Sequence, residues 1–246
     1  MLTIQEIAAV ENYFPQMFTG CIKTEDYVLY YNEKNKESWD SNHAIIFKYD
    51  ERYEEHVDII ASIYTNLGIV PRFYNAYVKD YITAVREMLI RKGYTFELNE
   101  NRFFYRSGRR VIKDLPELKI KQITQSCDAI DEILVDAPWM KVVIENSLPS
   151  DSFRLFIGYD YLKPVTMASL RTINDLTRLD DVKTPLAYRG RKYCQSLLNV
   201  ILNDESISHY TKQYLYACER DAVHIYEKLG YVEHPEKVHF WMAWKE

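Results

Sequence analysis

Several things are scarce in this chain, and each scarcity excludes something. Only 7 of its 246 residues are glycine, against 21 tyrosines and 10 phenylalanines. Lysine and arginine total 31 and aspartate and glutamate 36, which leaves a formal charge of −5. A mildly acidic chain has no electrostatic footprint for general nucleic-acid or anionic-membrane binding. No apolar run approaches the roughly 20 residues of a membrane span. The opening Met-Leu-Thr-Ile-Gln-Glu-Ile has an early acid and is not a signal peptide. The four cysteines, Cys21, Cys127, Cys194 and Cys218, form no CxxC pair, and no histidine pair at metal spacing joins them. No metal site is expected, and reduced thiols in the cytoplasm are. With 47% hydrophobic and 27% charged residues, the composition is that of a globular protein. It excludes a disordered tail, a collagen-like repeat and a coiled coil. The length suits one large domain or two small ones.

What is present reads as alternating helices and strands. Apolar stripes predict helices over 3–13, 53–66, 77–92, 126–135, 138–146, 189–203 and 220–229. Short aromatic or β-branched runs predict strands over 27–31, 43–47, 94–98, 102–106, 176–182, 214–218 and 238–244. Alternation over 153–159 and 165–173, around Pro164, predicts a hairpin. The fold class is therefore α/β, or α+β with a mixed sheet. The polar stretch 107–116, with Gly108 and Pro116, reads as a linker. An internal similarity accompanies it. A helix, Gly93-Tyr94 and Phe103-Phe104-Tyr105 overlay on a helix, Gly230-Tyr231 and Phe240-Trp241-Met242, which points to two related lobes.

The chemistry concentrates after the strand ending near Val182. Lys183-Thr184-Pro185-Leu186-Ala187-Tyr188-Arg189-Gly190-Arg191-Lys192-Tyr193-Cys194 leads into a helix. Exposed N–H groups and the positive end of a helix dipole make an anion site there. Gly190 permits close approach, and Arg189, Arg191 and Lys192 add three cations. A phosphate-bearing ligand fits, with a solvated basic helix start as the alternative. Neither a Walker loop nor a dinucleotide fingerprint is present.

About 30 residues on come Ala222, Tyr226, Gly230 and Tyr231, at the spacing Ala-x-x-x-Tyr-x-x-x-Gly-aromatic. Together the two stretches resemble the GNAT superfamily of acyl-CoA N-acyltransferases, in element order over 120–246. The resemblance implies a GNAT-like lobe at 116–246 with an acetyl-CoA site, preceded by a degenerate GNAT-like lobe at 1–115. It implies that Val182, Lys183 and Thr184 pair with the pantetheine arm and that the N–H groups of Arg189 through Cys194 hold the pyrophosphate. Glu219 stands where the family often has Asn. Tyr226 matches the tyrosine that protonates the departing thiolate, with a core tyrosine as the alternative. Lys192 and Cys194 replace the family's small residues; a helix-start conformation is expected at both, and Cys194, beside cations, is expected to have a lowered pKa.

A carboxylate or a water chain must take the amine's proton. Asp180, Asp181 and Glu145 are the acidic residues near the expected cleft, with a solvated surface carboxylate as the alternative for each, and Asp180 is carried forward. Strand alternation is expected to turn Asp180 and Asp181 to opposite faces. The implied activity is acetyl transfer from acetyl-CoA to a primary amine on a small molecule or protein, by direct attack. A CoA-binding regulatory protein without turnover is the alternative; an enzyme using an aminoacyl-tRNA donor is a third, disfavoured by the acidic charge. Tyr27, Tyr30, Tyr31, Phe73, Tyr74 and Tyr77 either wall the acceptor cleft or fill the core. Trp241 and Trp244 either pack internally or form a homodimer seam.

Overall fold

The computed structural model describes residues 2–76, 81–204, 212–236 and 238–246. In chain order the elements are α1 (Ile4–Glu11), β1 (Gly20–Lys23), β2 (Tyr27–Tyr31), β3 (Ala44–Ile46), α2 (Tyr53–Asn66), β4 (Arg72–Ala76), α3 (Ile82–Arg91), β5 (Thr95–Asn101) and β6 (Phe103–Arg106). Then follow β7 (Lys119–Ile123), α4 (Asp128–Ile133), α5 (Pro138–Ser147), β8 (Phe153–Asp160), β9 (Lys163–Ile173), β10 (Leu176–Lys183), α6 (Tyr193–Asn203), β11 (Lys212–Tyr216), α7 (Arg220–Lys228), β12 (Tyr231–Glu233) and β13 (Val238–Trp244). The expected hairpin is β8–β9, antiparallel from Phe153↔Arg171 onward. The helix expected over 77–92 begins at Ile82, and Tyr77 with residues 78–80 lies outside the described residues. The helix expected from 189 begins at Tyr193, because Lys192 holds a left-handed conformation (φ +61°) that ends helical geometry.

The chain folds as two compact units, and neither is continuous in sequence. The cleft unit is Met1–Ile7 with Arg102–Pro235, and the companion unit is Ala8–Asn101 with Glu236–Glu246. The division falls elsewhere than between residues 115 and 116. The stretch 107–116 lies inside the cleft unit, where the Ile112 N–H donates to Asn199 of α6 at 2.8 Å.

The cleft unit's sheet runs β12-β6-β11-β10-β9-β8-β7. The companion's, taken from β5, runs β5-β13-β4-β3-β2-β1. The parallel pair is β10–β11 in one and β3–β4 in the other, at matching places. The two sheets therefore follow one route twice. In each, the second strand, β6 or β13, comes from the other half of the sequence. β6 lies antiparallel between β12 and β11; β13 lies antiparallel between β5 and β4.

Each unit buries its own core. In the cleft unit Phe156, Ala168 and Leu170 of the sheet meet Leu197, Leu198 and Ile201 of α6 and Leu229 after α7. In the companion Leu29, Ala44 and Ile46 meet Val57, Ile60 and Tyr64 of α2, Leu89 of α3 and Trp241. A large apolar side chain buried this way contributes about 1.5–3 kcal/mol. Trp241 stacks on Phe96 at 5.5 Å and Trp244 meets Trp39 edge-on at 5.6 Å, so both tryptophans pack internally. Tyr27 and Phe73 are core residues, and Tyr30 is fully buried.

β6 also closes the far end of the cleft unit. Arg106 donates to the Leu202 carbonyl and to Asn203 at the end of α6, and to the Leu229 carbonyl just past α7 at 3.4 Å. One guanidinium thereby satisfies carbonyls that a helix end leaves without intrahelical partners.

Candidate active site

The site is built where β10 and β11 part. They pair in parallel from Leu176↔Lys212 to Arg178↔Tyr214, and no further pairing joins them among the described residues. On its other side β10 pairs with β9, where the register shifts between Asp180 and Lys183. Asp181 has φ +50° at that bulge. A bulge bends its strand and breaks side-chain alternation. The bend opens a gap in the sheet, and a cleft of about 630 Å3 lies beside it.

The cleft gathers most of the residues singled out from sequence. Val182, Lys183 and Thr184 line it from β10 and just beyond, and Arg189 and Gly190 from the loop. Lys192, Tyr193 and Cys194 line it from the start of α6, Glu219 and Tyr226 from the α7 side. Arg191 and Asp180 are not on its wall. The Arg191 guanidinium lies 6.0 Å from the Tyr188 ring centre. Ala222 of the second motif lines it too, as do Tyr188, Gln195, Asp221 and Ile225, which were not singled out. Helical spacing held the signal for Ile225, which stands three residues on from Ala222 on α7.

The phosphate-binding expectation meets a suitable structure. No side chain caps the N-terminus of α6. Gly190 has φ +77°, and the space beside its Cα is open within 4 Å. Such a turn leaves backbone donors and room for a phosphate. Arg189 steadies the loop by donating Nε to the Thr184 carbonyl at 3.1 Å. Thr184 is held through its hydroxyl, 2.8 Å from that of Thr166. Tyr193 donates to Asp160 on β8, which pins the first turn of α6 to the sheet and raises the phenol's pKa. Lys183 pairs with Asp136 at 2.8 Å, and that hydrogen bond holds the Asp136 carboxyl below its usual range.

Two expectations at the departures from the family pattern are corrected. Lys192 is not in a helix-start conformation: its left-handed backbone is one that glycine adopts without strain. The Cys194 thiol is not activated. It packs against the core cluster, and burial pushes its pKa up to about 12. Desolvation of the charged form outweighs the neighbouring cations.

Tyr226 is buried on α7. Burial, then the adjacent Cys194, Tyr231 and Asp180, push its pKa well above that of a free phenol. Asp180 is therefore an electrostatic neighbour of Tyr226. Its own partners are two guanidinium groups: Arg171 Nε at 3.1 Å, and Arg178. Asp181 accepts from Arg171 at 2.9 Å and from the Ser169 hydroxyl at 2.6 Å. Adjacent strand residues thus converge on one buried arginine, where strict alternation had predicted opposite faces. Burial pushes both carboxyls up. At Asp180 the charges of Arg178 and Arg171 outweigh it and hold the group below the usual range. At Asp181 burial and the Asp180 charge prevail and hold the group above it. Glu145 is turned toward Ser126 and Lys141.

Comparison with solved structures places this architecture. The chain superposes on a GCN5-related N-acetyltransferase from Kribbella flavida with a TM-score of 0.73 at 14% identity, over 100% of this chain and 97% of that one. A functionally unknown conserved protein from Staphylococcus epidermidis gives 0.64 at 13%, over 100% and 98%. A tandem GNAT protein from the clavulanic acid biosynthesis pathway gives 0.52 at 11%, over 82% and 75%. The chain therefore has a GNAT fold along its whole length. At such identities the likeness concerns fold alone, and one of these neighbours has no known activity. No protein-family model matches the sequence, and no curated protein matches it. No helix among the described residues is long and apolar enough to cross a membrane.

Proposed function

We propose that this chain is an acyl-CoA-dependent N-acyltransferase that moves an acetyl group from acetyl-CoA to a primary amine by direct attack. The observation that carries the reading is the cleft. It joins an uncapped helix start, a glycine turn with open space beside it, and a gap between two parallel strands. Phosphates favour the first two features, and the free edge of β10 offers hydrogen-bonding groups to an extended arm.

Acetyl-CoA is a substrate of this reaction and supplies the activated acyl thioester. The N–H groups of Arg189 through Cys194, with the cations around them, would hold its pyrophosphate. Tyr226, kept protonated across the neutral range by burial, would give its proton to the leaving sulfur. The acceptor is a small molecule or a protein carrying a primary amine. We place the protein in the cytoplasm, in keeping with four free cysteines.

Calorimetric titration with acetyl-CoA tests the reading. The wild type binds, and Arg189→Glu, which reverses a charge on the loop, binds at least about tenfold more weakly. Absence of wild-type binding at millimolar acetyl-CoA would reject the reading.

A further inference from the structure

We propose that Arg171 is a positioning residue for acyl transfer: by gathering Asp180 and Asp181 onto one face of the β10 bulge, it sets Asp181, and not Asp180, to take the proton from the incoming amine. The inference rests on the acyltransferase reading and adds the direction from which the acceptor arrives and the group that receives its proton.

The first argument is which face of the sheet is involved. Ala168 and Leu170 of β9 pack in the core with α6. Alternation puts Ser169 and Arg171 on the opposite face. There Arg171 donates to the Ser147 hydroxyl of α5 at 2.8 Å. The carboxylate pair therefore lies on the α5 side of the sheet, while the phosphate loop belongs to the α6 side. The second argument is position along β10. Asp180 stands two residues past Arg178, the last residue of β10 paired to β11. The pair follows closely on that last paired residue, and the Asp180 charge acts on Tyr226. On this reading an amine arriving from the α5 side would meet the carboxylates on its way to the thioester.

The third argument is the division of labour inside the pair. Arg171 is wholly buried and spends a separate nitrogen on each of Asp180, Asp181 and Ser147, with its guanidinium 4.4 Å from the Phe153 ring centre. Asp180 carries a second guanidinium, that of Arg178. Asp181 has the Ser169 hydroxyl in its place. The groups facing Asp181 are thus Ser169 and Arg171 from β9 and Asp180 and Arg178 from β10. Ser147 of α5 acts through Arg171, and Tyr226 of α7 and Cys194 of α6 act through Asp180. Asp180 is the fixed counter-charge and Asp181 the exchangeable one, with a pKa displaced toward neutrality as a base at physiological pH requires.

The proton balance is complete. An ammonium acceptor gives one proton to Asp181, and its nitrogen lone pair forms the C–N bond as the C–S bond breaks. The departing sulfur takes the Tyr226 proton. The second nitrogen proton returns to the phenolate through water, and Asp181 releases its proton to solvent.

The test compares two probe nucleophiles, n-butylamine, which is cationic at neutral pH, and methoxyamine, which is neutral there and needs no base. Acetyl-CoA binding is measured alongside. Asp181→Asn should lose about 100-fold or more in kcat with n-butylamine and little with methoxyamine. Arg171→Lys keeps the charge but loses the fork; it should show the same split with KM for acetyl-CoA unchanged. Two milder variants guard against failed folding and have opposite signs. Ser169→Ala removes a hydrogen bond to the ionised carboxylate and should move the acid limb of the pH profile upward. Asp180→Asn removes a like charge and should move it downward. Equal loss with both nucleophiles, or acid limbs that stay put in both milder variants, would overturn the inference. Acetyl-CoA binding without transfer to either amine would overturn it and leave the cofactor site standing. Loss of wild-type acetyl-CoA binding would instead remove the acyltransferase reading itself.

Discussion

Between β10 and α6 of the cleft unit runs Thr184–Lys192, with one glycine and three cations; at the matching place in the companion, Phe47–Arg52 joins β3 to α2 without any glycine. Both helices start without a side-chain cap, but the cleft unit's first turn is free of acids, whereas α2 carries Glu54 and Glu55 there. Those acids suit the dipole and repel a phosphate. Beside α2, Tyr49 stacks on Tyr81 at 4.9 Å and Tyr53 packs against both. Four residues before the glycine that follows the helix stands Tyr226 in one unit and a fully buried Leu89 in the other. One topology is thus built twice, and the two copies differ at a loop, a first turn and one hydroxyl. Duplication of a fold does not duplicate a site.

The comparison is broken hardest at the paired glycines. A Cβ on Gly230 would lie 2.4 Å from the Gly108 carbonyl oxygen, while one on Gly93 would meet only the end of Lys245 at 3.7 Å. Both have positive φ. Gly230→Ala should cost about 3 kcal/mol or more, and Gly93→Ala about 1 kcal/mol. Urea unfolding of the two variants measures the gap, and equal losses would deny that the two turns differ.

Acid should act on the companion next. Burial holds the His43 pKa down at about 4 against 6.5, with Nδ1 facing the Trp39 carbonyl at 2.8 Å and Nε2 unpartnered. The unfolded chain takes up the proton near 6.5 and the native one only near 4. Stability is therefore lost as pH falls through that window, by up to about 3 kcal/mol. Three of the four tryptophans, Trp39, Trp241 and Trp244, report on this unit. Their fluorescence during urea unfolding at a series of pH values should show the slope in wild type and its disappearance in His43→Leu.

The hydroxyl comes third. Tyr226→Phe should lower kcat about 10- to 100-fold with the Kd for acetyl-CoA unchanged. Leu89→Tyr should confer no second activity, and a second acetyl-CoA equivalent in calorimetry of that variant would contradict the contrast between the loops. The smallest effect is at Lys192. Relief of its left-handed backbone by Lys192→Gly should stabilise by about 1 kcal/mol, raising Tm by about 2–4 °C. An unchanged or lowered Tm would mean that the lysine side chain compensates for its backbone.

Long periodic elements were plain from the residues. The stripe of α2 ends at Asn66, as its spacing predicts, and the alternation around Pro164 is a hairpin. The strands β1, β4, β7 and β12 were not foreseen. β1 is exposed along its length, β7 is a half-exposed edge strand and β12 has three residues, so none of these three shows a buried run, while β4 opens on a buried arginine, Arg72, which reads as polar in sequence. The overlay of Phe103-Phe104-Tyr105 on Phe240-Trp241-Met242 shows two repeats, yet strand exchange is invisible to it, because equal strands leave equal patterns whichever sheet they join. At the site, spacing singled out the loop and Tyr226, and both line the cleft. Two things were hidden: the bulge, which turns Asp181 to the side of Asp180, and the burial that silences Cys194. Both depend on backbone angles and neighbours distant in sequence.

The exchange of β6 and β13 bears on how the chain is made. A ribosome releases residues in order, and the companion sheet needs Val238–Trp244 as the strand between β4 and β5. The first hundred residues therefore emerge with a slot they cannot fill from their own sequence, while β6 waits for partners more than a hundred positions downstream. The companion sheet cannot finish before Val238–Trp244 has emerged, and a cut between the two repeats would leave both sheets unfinished.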